Sequence, residues 1–257
     1  MSARDDLGHP SQLAGPARRV VSLVPSLTES VAATRPQALV GATTWCTHPA
    51  DLDVARVRGT KNPDVAAIRA LAPDLVLANR EENRQLDVER LRSAGIAVWV
   101  TDIRTLDQAL TSLRAMFTAG LGWPAPDWLE QADRAWREPP PAARVRAAIA
   151  VWRDPWMVVG SRTFTGDVAA RLGLENVYGE HAERYPRVDL ADIHGRRPDL
   201  IVLPDEPYPF AAGDGPEAFP GNRVALVEGR SLTWYGPSLI TSRSTLLAQL
   251  AAARPAR

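Results

Sequence analysis

The sequence contains little cysteine: Cys46 is the only one among 257 residues. A single cysteine excludes an intramolecular disulfide and a zinc site built from several cysteines. Cys46 stands two residues before His48, a spacing that superficially suggests a nucleophile with its base. Because a lone cysteine is usually structural, we predict no catalytic residue here, and the cysteine count is compatible with either redox compartment.

Long apolar runs are also missing from the sequence. No stretch of about 18 apolar residues predicts a membrane-spanning helix. The first residues include Asp5 and Asp6, and they contain neither an apolar run of about 7–15 residues nor a cysteine for lipid attachment. No export signal is therefore visible. As written, the sequence predicts a cytoplasmic protein, or a periplasmic or otherwise extracytoplasmic one if the true start lies upstream.

Neither sign of charge is in excess, since thirty basic residues balance thirty acidic ones. This balance argues against binding to nucleic acid or to an anionic membrane surface. The four histidines are scattered without the spacing of a metal site, so we expect no directly coordinated metal ion. Phosphate-binding, dinucleotide-binding and nucleophile-elbow motifs are absent as well. The composition is otherwise that of an ordinary globular protein.

A degenerate internal repeat links residues 68–81 with residues 193–206. Pairs that lie 125 positions apart match at Ile68 and Ile193, Pro73 and Pro198, Asp74 and Asp199, and at further positions up to Glu81 and Glu206. The chain therefore has the pattern of two related halves.

Short β-branched runs alternate with helical patterns along both halves, which is typical of βαβ units and parallel sheets. We predict an α/β fold of two Rossmann-like lobes with parallel sheets, joined by a helical backbone segment. The predicted strands include residues 39–45, 75–78, 146–152 and 199–203. The predicted boundaries are a flexible lead-in over residues 1–17, an N-terminal lobe over 18–104, a helical linker over 105–142 and a C-terminal lobe over 143–257. Trp128 and Trp136 share one face of the linker and are predicted to be packing residues.

Ligands approach an open parallel sheet at the carboxyl ends of its strands, so the residues just past each strand are candidates for a site. Aromatic side chains there suit a large, flat, partly apolar ligand, and arginines suit carboxylate or phosphate groups. The predicted ligand contacts are Ser26, Trp45, Asn79, Arg80, Arg162, Phe164, Tyr185, Trp234 and Tyr235. Three alternatives stay open: each aromatic residue packs locally, each arginine is a solvated surface residue, and Ser26 is the N-cap of a helix.

Several segments together resemble a known family. They include VVSLVPSLTES at 20–30, VGATTW at 40–45, residues 62–83 with their PDLV core, GIAV at 95–98, VGSR at 159–162 and WYGP at 234–237. Across residues 18–250 the chain resembles the substrate-binding proteins of ABC importers for cobalamin, haem and iron siderophores, of the helical-backbone metal-receptor type. The set of segments in this order is specific to the family, although each segment alone is weak evidence for it.

The resemblance implies a monomeric binding protein without an enzymatic cofactor, whose ligand is a metal chelate such as cobalamin, haem or a ferric siderophore. It also implies an ABC permease as partner, with acidic residues as docking points; here Glu81, Glu82 and Glu206 are the nearest counterparts. Asn79 departs from the pattern, since cobalamin binders tend to carry an aromatic residue at this place. An alternative stays open, in which a cytosolic enzyme or accessory protein of the same fold acts on a tetrapyrrole, corrinoid or metal chelate.

Overall fold

The structure is a computed structural model that describes residues 4–11 and 13–256. The chain divides into two compact units. The first unit contains the described residues up to Ile103, together with Asp107–Gln131 and Tyr235–Pro237. The second unit contains Arg104–Leu106, Ala132–Trp234 and the described residues from Ser238 onward. Within the described ranges, no helix is both long and apolar enough to span a lipid bilayer.

The first unit is built on a parallel five-stranded sheet and a small antiparallel ribbon. Its strands are β1 (Val20–Ser22), β2 (Leu39–Ala42), β3 (Ala55–Arg56), β4 (Arg58–Gly59), β5 (Asn62–Pro63), β6 (Leu75–Asn79) and β7 (Val98–Thr101). The sheet has the order β3-β2-β1-β6-β7, whereas β4 and β5 pair only with each other. Apolar side chains of β1, β6 and β7 form a buried core with Ile68 and Leu91 from the covering helices.

Helices connect these strands. They are α1 (Pro25–Ala32), α2 (Val65–Ala70), α3 (Gln85–Ser93), α4 (Leu106–Ala115) with a following π turn (Met116–Gly120), and α5 (Asp127–Ala135). Asp64 caps α2 by accepting a hydrogen bond of 3.0 Å from the backbone N–H of Ala67, as its position before the apolar run suggests.

The second unit repeats this architecture. Its strands are β8 (Val145–Trp152), β9 (Met157–Val158), β10 (Leu174–Asn176), β11 (Leu200–Pro204), β12 (Arg223–Val227) and β13 (Arg254–Pro255). Its helices are α6 (Phe164–Arg171), α7 (Leu190–Gly195), α8 (Gly229–Thr233) and α9 (Leu239–Ala251). The order is β10-β8-β11-β12-β13, with β13 antiparallel and β9 turned back on β8. The predicted α/β fold class with two parallel-sheet units is confirmed.

The internal repeat gives both units the same hydrogen-bonding arrangement. Asp74 lies just before β6, and its carboxylate accepts the backbone N–H groups of Arg18 and Arg19 at 2.7 and 2.9 Å. Asp199 lies just before β11, and its carboxylate accepts the N–H of Arg146 at 3.3 Å. Each aspartate therefore fixes the start of the strand beside its own, which explains why the repeat retains it.

The residue before each repeated proline has a left-handed backbone. Ala72 has φ 44° and Arg197 has φ 50°, although neither is glycine. In both places an arginine from the start of the neighbouring strand donates to the C-cap carbonyl of the helix before that proline: Arg19 to the carbonyl of Leu71 at 2.6 Å, and Arg146 to the carbonyl of Arg196 at 2.8 Å. These bonds satisfy carbonyl groups that a helix end leaves without partners.

The described part of the predicted lead-in is bound to the first unit. The Asp5 side chain is buried and accepts the N–H of Val100 in β7 at 3.2 Å. Asp6 accepts from the N–H of Asp102 at 2.8 Å and from the hydroxyl of Ser112 at 2.5 Å. The expectation of a flexible segment therefore does not hold for Asp5 and Asp6, which cover the free edge of β7.

The predicted linker over 105–142 divides between the units. Trp128 in the first unit packs edge-on against Phe117 at 5.8 Å and donates to Thr34. Trp136 in the second unit is buried and donates to the carbonyl of Leu239 at 2.9 Å. The prediction that both tryptophans are packing residues is confirmed, since each ring is enclosed by its own unit.

Candidate functional site

Trp45 stands at the carboxyl edge of the first sheet, on a turn that follows β2. Its side chain is 66% exposed, which makes it the most exposed large hydrophobic residue of the described chain. Under the turn, the Cys46 sulfur lies 3.0 Å from the hydroxyl of Thr28 and 3.1 Å from that of Thr43. Burial raises the pKa of the Cys46 thiol. The cysteine is therefore a protonated packing residue under the turn, which weakens the nucleophile interpretation further.

Asn79 shapes a turn at the end of β6. Its side-chain oxygen accepts from the N–H groups of Glu81 and Glu82 at 2.8 and 3.3 Å, and its amide nitrogen donates to the carbonyl and hydroxyl oxygens of Thr101. The residue is buried. Since these bonds use both ends of the amide, they favour a turn-forming role for Asn79, and its predicted ligand contact stays a prediction.

Ser26 is buried in the first turn of α1. The N-cap of this helix is Val24, so the alternative interpretation of Ser26 as the N-cap is wrong. Among the described residues the Ser26 hydroxyl has no hydrogen-bond partner, whereas its carbonyl accepts from the hydroxyl of Ser30 at 2.7 Å. A burial this complete does not favour the predicted ligand contact, which stays a prediction.

The two predicted arginines are both exposed but differ in their partners. Arg80 pairs with Asp102 at 2.9 Å, so an anionic ligand group at Arg80 competes with this carboxylate. Arg162 has φ 55° and donates to the carbonyl of Ala182 at 3.1 Å. Together with Arg104 and Arg144 it lines a hollow of about 500 Å³ within the second unit.

The predicted aromatic contacts of the second half are mostly enclosed. Phe164, Trp234 and Tyr235 are buried, which favours the packing alternative for them. Tyr185 is half-buried in a segment whose backbone is held by the N–H of Gly160, which donates to the carbonyl of Arg184 at 2.7 Å.

The predicted docking acids of the first half lie beside a lysine. Glu81 and Glu82 are half-buried, and the Lys61 ammonium donates to the backbone carbonyl of Glu81 at 2.6 Å. Burial lowers the pKa of Lys61, while the charges of Glu82 and Glu81 oppose this shift. The acidic character of this rim is therefore reduced by a neighbouring cation.

Glu206, the third predicted docking acid, is held within the second unit. Its carboxylate makes side-chain hydrogen bonds with Trp234 and with the Thr233 hydroxyl, the latter at 3.4 Å. A Cβ on Gly229 would overlap the Glu206 side chain, so glycine is required for this close approach. Burial raises the pKa of Glu206 above its usual value. Two residues predicted to contact different molecules thus bind each other.

Replacing Glu206 with glutamine is expected to stabilise the protein at pH 7 and to have little effect below the usual pKa of glutamate. A raised pKa means that the folded state binds the proton more tightly, so this contribution to stability is lost as the pH rises through the folded pKa. Glutamine keeps the shape without the buried charge. Urea unfolding of both forms at pH 7 and pH 4 measures the difference, with the exposed Glu180→Gln as the control. A Glu206→Gln protein that is less stable at pH 7 contradicts this account.

Trp152 is a candidate that the sequence rule missed. It is the last residue of β8 and is 42% exposed, and its ring meets Tyr208 edge-on at 5.5 Å. Arg153 pairs with Asp214 and Glu217, and Asp214 accepts from the Tyr208 hydroxyl at 2.7 Å. The signal available was the end of the strand itself, since Trp152 is the last residue of the strand predicted over 146–152, just as Trp45 is the last residue of the strand predicted over 39–45.

No metal-binding cluster of three or more histidine, cysteine, aspartate or glutamate side chains occurs in the described ranges. The exposed indoles of Trp45 and Trp152, each at the carboxyl edge of its own unit's sheet, are suited to contact the flat face of a ligand.

The chain is similar to several known proteins. No protein-family model matches the chain. A vitamin B12-binding protein of Pectobacterium carotovorum subsp. carotovorum (strain PC1) is 27% identical over 251 residues, which cover 93% of this chain and 90% of the relative. The chain is thus similar to a vitamin B12-binding protein over nearly its whole length.

Solved structures of such proteins share the fold. The periplasmic vitamin B12-binding protein BtuF of Vibrio cholerae has a TM-score of 0.74 at 19% identity, over 92% of this chain and 98% of that one. The periplasmic heme-binding protein RhuT from Roseiflexus sp. RS-1, in its apo form, has a TM-score of 0.77 at 17% identity, with the same coverage of both chains. These neighbours are binding proteins. At 19% and 17% identity, these structures establish the fold alone. The roles of the individual site residues of this chain stay predictions.

Proposed function

We propose that this protein binds a metal-containing macrocycle or metallophore and serves as the substrate-binding component of an ABC importer. The first candidate ligand is a cobalamin, and haem or a ferric siderophore comes second. The names of the relatives support this order, since the curated relative is a vitamin B12-binding protein. They also support binding over the alternative of a cytosolic enzyme that acts on a tetrapyrrole or corrinoid.

One observation carries the proposal: the sheet of each unit has an exposed tryptophan at its carboxyl edge. Trp45 and Trp152 are also the only exposed aromatic residues among the large hydrophobic side chains of the described chain. Single exposed apolar side chains are common on protein surfaces, so the position of both indoles at strand ends, where ligands approach an open parallel sheet, supports the proposal more than their exposure does. A corrin or porphyrin offers a broad, partly apolar face that suits such a contact.

The importer role implies a location outside the cytoplasm and a permease as partner. Two of the solved neighbours are described as periplasmic, which supports the extracytoplasmic alternative over the cytoplasmic one. Glu81 and Glu82 stay the proposed docking residues for the permease. Glu206 is the weaker candidate, because the second unit already binds its carboxylate.

Equilibrium titration with cyanocobalamin, hemin and a ferric hydroxamate siderophore tests the proposed function. Binding is followed by quenching of tryptophan fluorescence and by co-elution of the coloured ligand with the protein in gel filtration. We expect one ligand to co-elute at a one-to-one ratio. The metal-free porphyrin serves as the control for non-specific adsorption of a flat apolar molecule. If none of the three ligands co-elutes, the proposed function is wrong.

A further inference from the structure

The turn that carries Trp45 is fastened by one arginine. The backbone N–H of Cys46 donates to the carbonyl of Thr43 at 3.2 Å, which closes a short turn with Trp45 at its tip. The Nη1 of Arg56 donates to the carbonyls of Thr43 and Cys46, at 3.1 and 2.8 Å. One guanidinium nitrogen thus holds the two ends of the turn, on either side of the tryptophan.

The same guanidinium extends its hold to the rest of the loop. The Nη2 of Arg56 donates to the carbonyl of Leu52 at 3.0 Å. Its backbone is fixed in turn, because Arg56 pairs with Ala42 in the register of β3 and β2. Ala42 is the last residue before the turn. The arginine therefore connects the sheet to both sides of the loop that presents Trp45.

We infer that Arg56 is a positioning residue for ligand binding, which holds the Trp45 turn in its binding geometry before the ligand arrives. This inference rests on the proposed function. A loop that is already ordered loses less conformational freedom on binding, so its contacts contribute more to affinity. Charged donors form stronger bonds to carbonyl groups than neutral donors do. Arginine is suited to this role because its planar fork reaches several carbonyls at once, whereas a lysine ammonium is a single point charge.

A double-mutant cycle separates positioning from simple stability. The four proteins are the wild type, Arg56→Met, Trp45→Ala and the double variant, each titrated with cyanocobalamin and with hemin. We expect Arg56→Met to weaken binding about tenfold when Trp45 is present and to have almost no effect when it is absent. Arg56→Lys is expected to restore part of the affinity. Arg69→Met changes an exposed arginine on α2 of the same unit, and we expect it to leave affinity unchanged.

Hydrogen exchange of the unliganded proteins gives a second readout. We expect faster exchange in residues 43–52 of Arg56→Met and unchanged exchange in the core strands. Equal affinity of Arg56→Met and the wild type, or an equal loss in the presence and absence of Trp45, overturns the inference while the proposed function stands. If the wild type binds neither cyanocobalamin nor hemin, the inference is overturned for these two ligands. The proposed function then depends on the siderophore: it stands if the siderophore co-elutes with the protein, and it is wrong if it does not.

Discussion

Replacement of Trp45 with alanine is expected to weaken binding of the metal chelate about thirtyfold, which corresponds to about 2 kcal/mol. The indole is 66% exposed in the unliganded protein, so a ligand that covers it removes a large apolar surface from water. Stacking on a flat macrocycle adds about 0.5–1.5 kcal/mol beyond this burial. Titration of the wild type and the variant with cyanocobalamin and hemin measures the loss.

The same substitution is expected to leave stability almost unchanged, because the indole makes little contact with the unliganded fold. Leu86→Ala is the matched control: Leu86 is also an exposed large hydrophobic residue of the first unit, on α3. We expect this control to bind normally, which shows whether any exposed apolar side chain contributes to affinity. If Trp45→Ala binds as tightly as the wild type, Trp45 is not part of the site.

The fold could be predicted from the sequence because local pattern and tertiary environment agree in most elements. The repeated Pro-Asp-Leu segments mark the starts of β6 and β11, and the structure shows the two aspartates in the same role. The strand prediction was wrong where a local turn leaves no recognisable pattern in the sequence. The strand predicted over residues 39–45 ends at Ala42, since Thr43 and Cys46 close a turn that only the Arg56 side chain and the buried sulfur reveal.

The site was harder to predict because position after a strand does not determine where a side chain points. Trp45 and Asn79 satisfy the same rule, yet one is exposed and the other is buried in its own turn. Trp152 is the last residue of its predicted strand, as Trp45 is of its own, yet it was not selected. A pattern also cannot show that two candidates bind each other, as Glu206 and Trp234 do. Such outcomes depend on contacts between residues that are distant in sequence.

Replacement of Gly160 with alanine is expected to destabilise the protein by about 3 kcal/mol, near the upper end for overpacking. A Cβ at this position would overlap the carbonyl oxygen of Glu183 and would lie 3.1 Å from the carbonyl oxygen of Arg184. Both obstacles are backbone atoms, so no side-chain rotation relieves them. The N–H of Gly160 also holds the carbonyl of Arg184 at 2.7 Å, and this bond stretches if the segments separate. Urea unfolding at pH 7 measures the loss of free energy.

Gly195→Ala is the control in the same unit, because a Cβ there meets no atom within 4 Å and the position lies in α7. Alanine is favoured over glycine in helices by about 1 kcal/mol, so this control is expected to be neutral or slightly stabilising. The clash at Gly160 also pushes the segment of Tyr185 outward. If Tyr185 contacts the ligand, Gly160→Ala weakens binding even under conditions where the variant is fully folded. A folded variant with normal affinity removes Tyr185 from the site, and an unfolding free energy equal to that of the wild type contradicts the close approach itself.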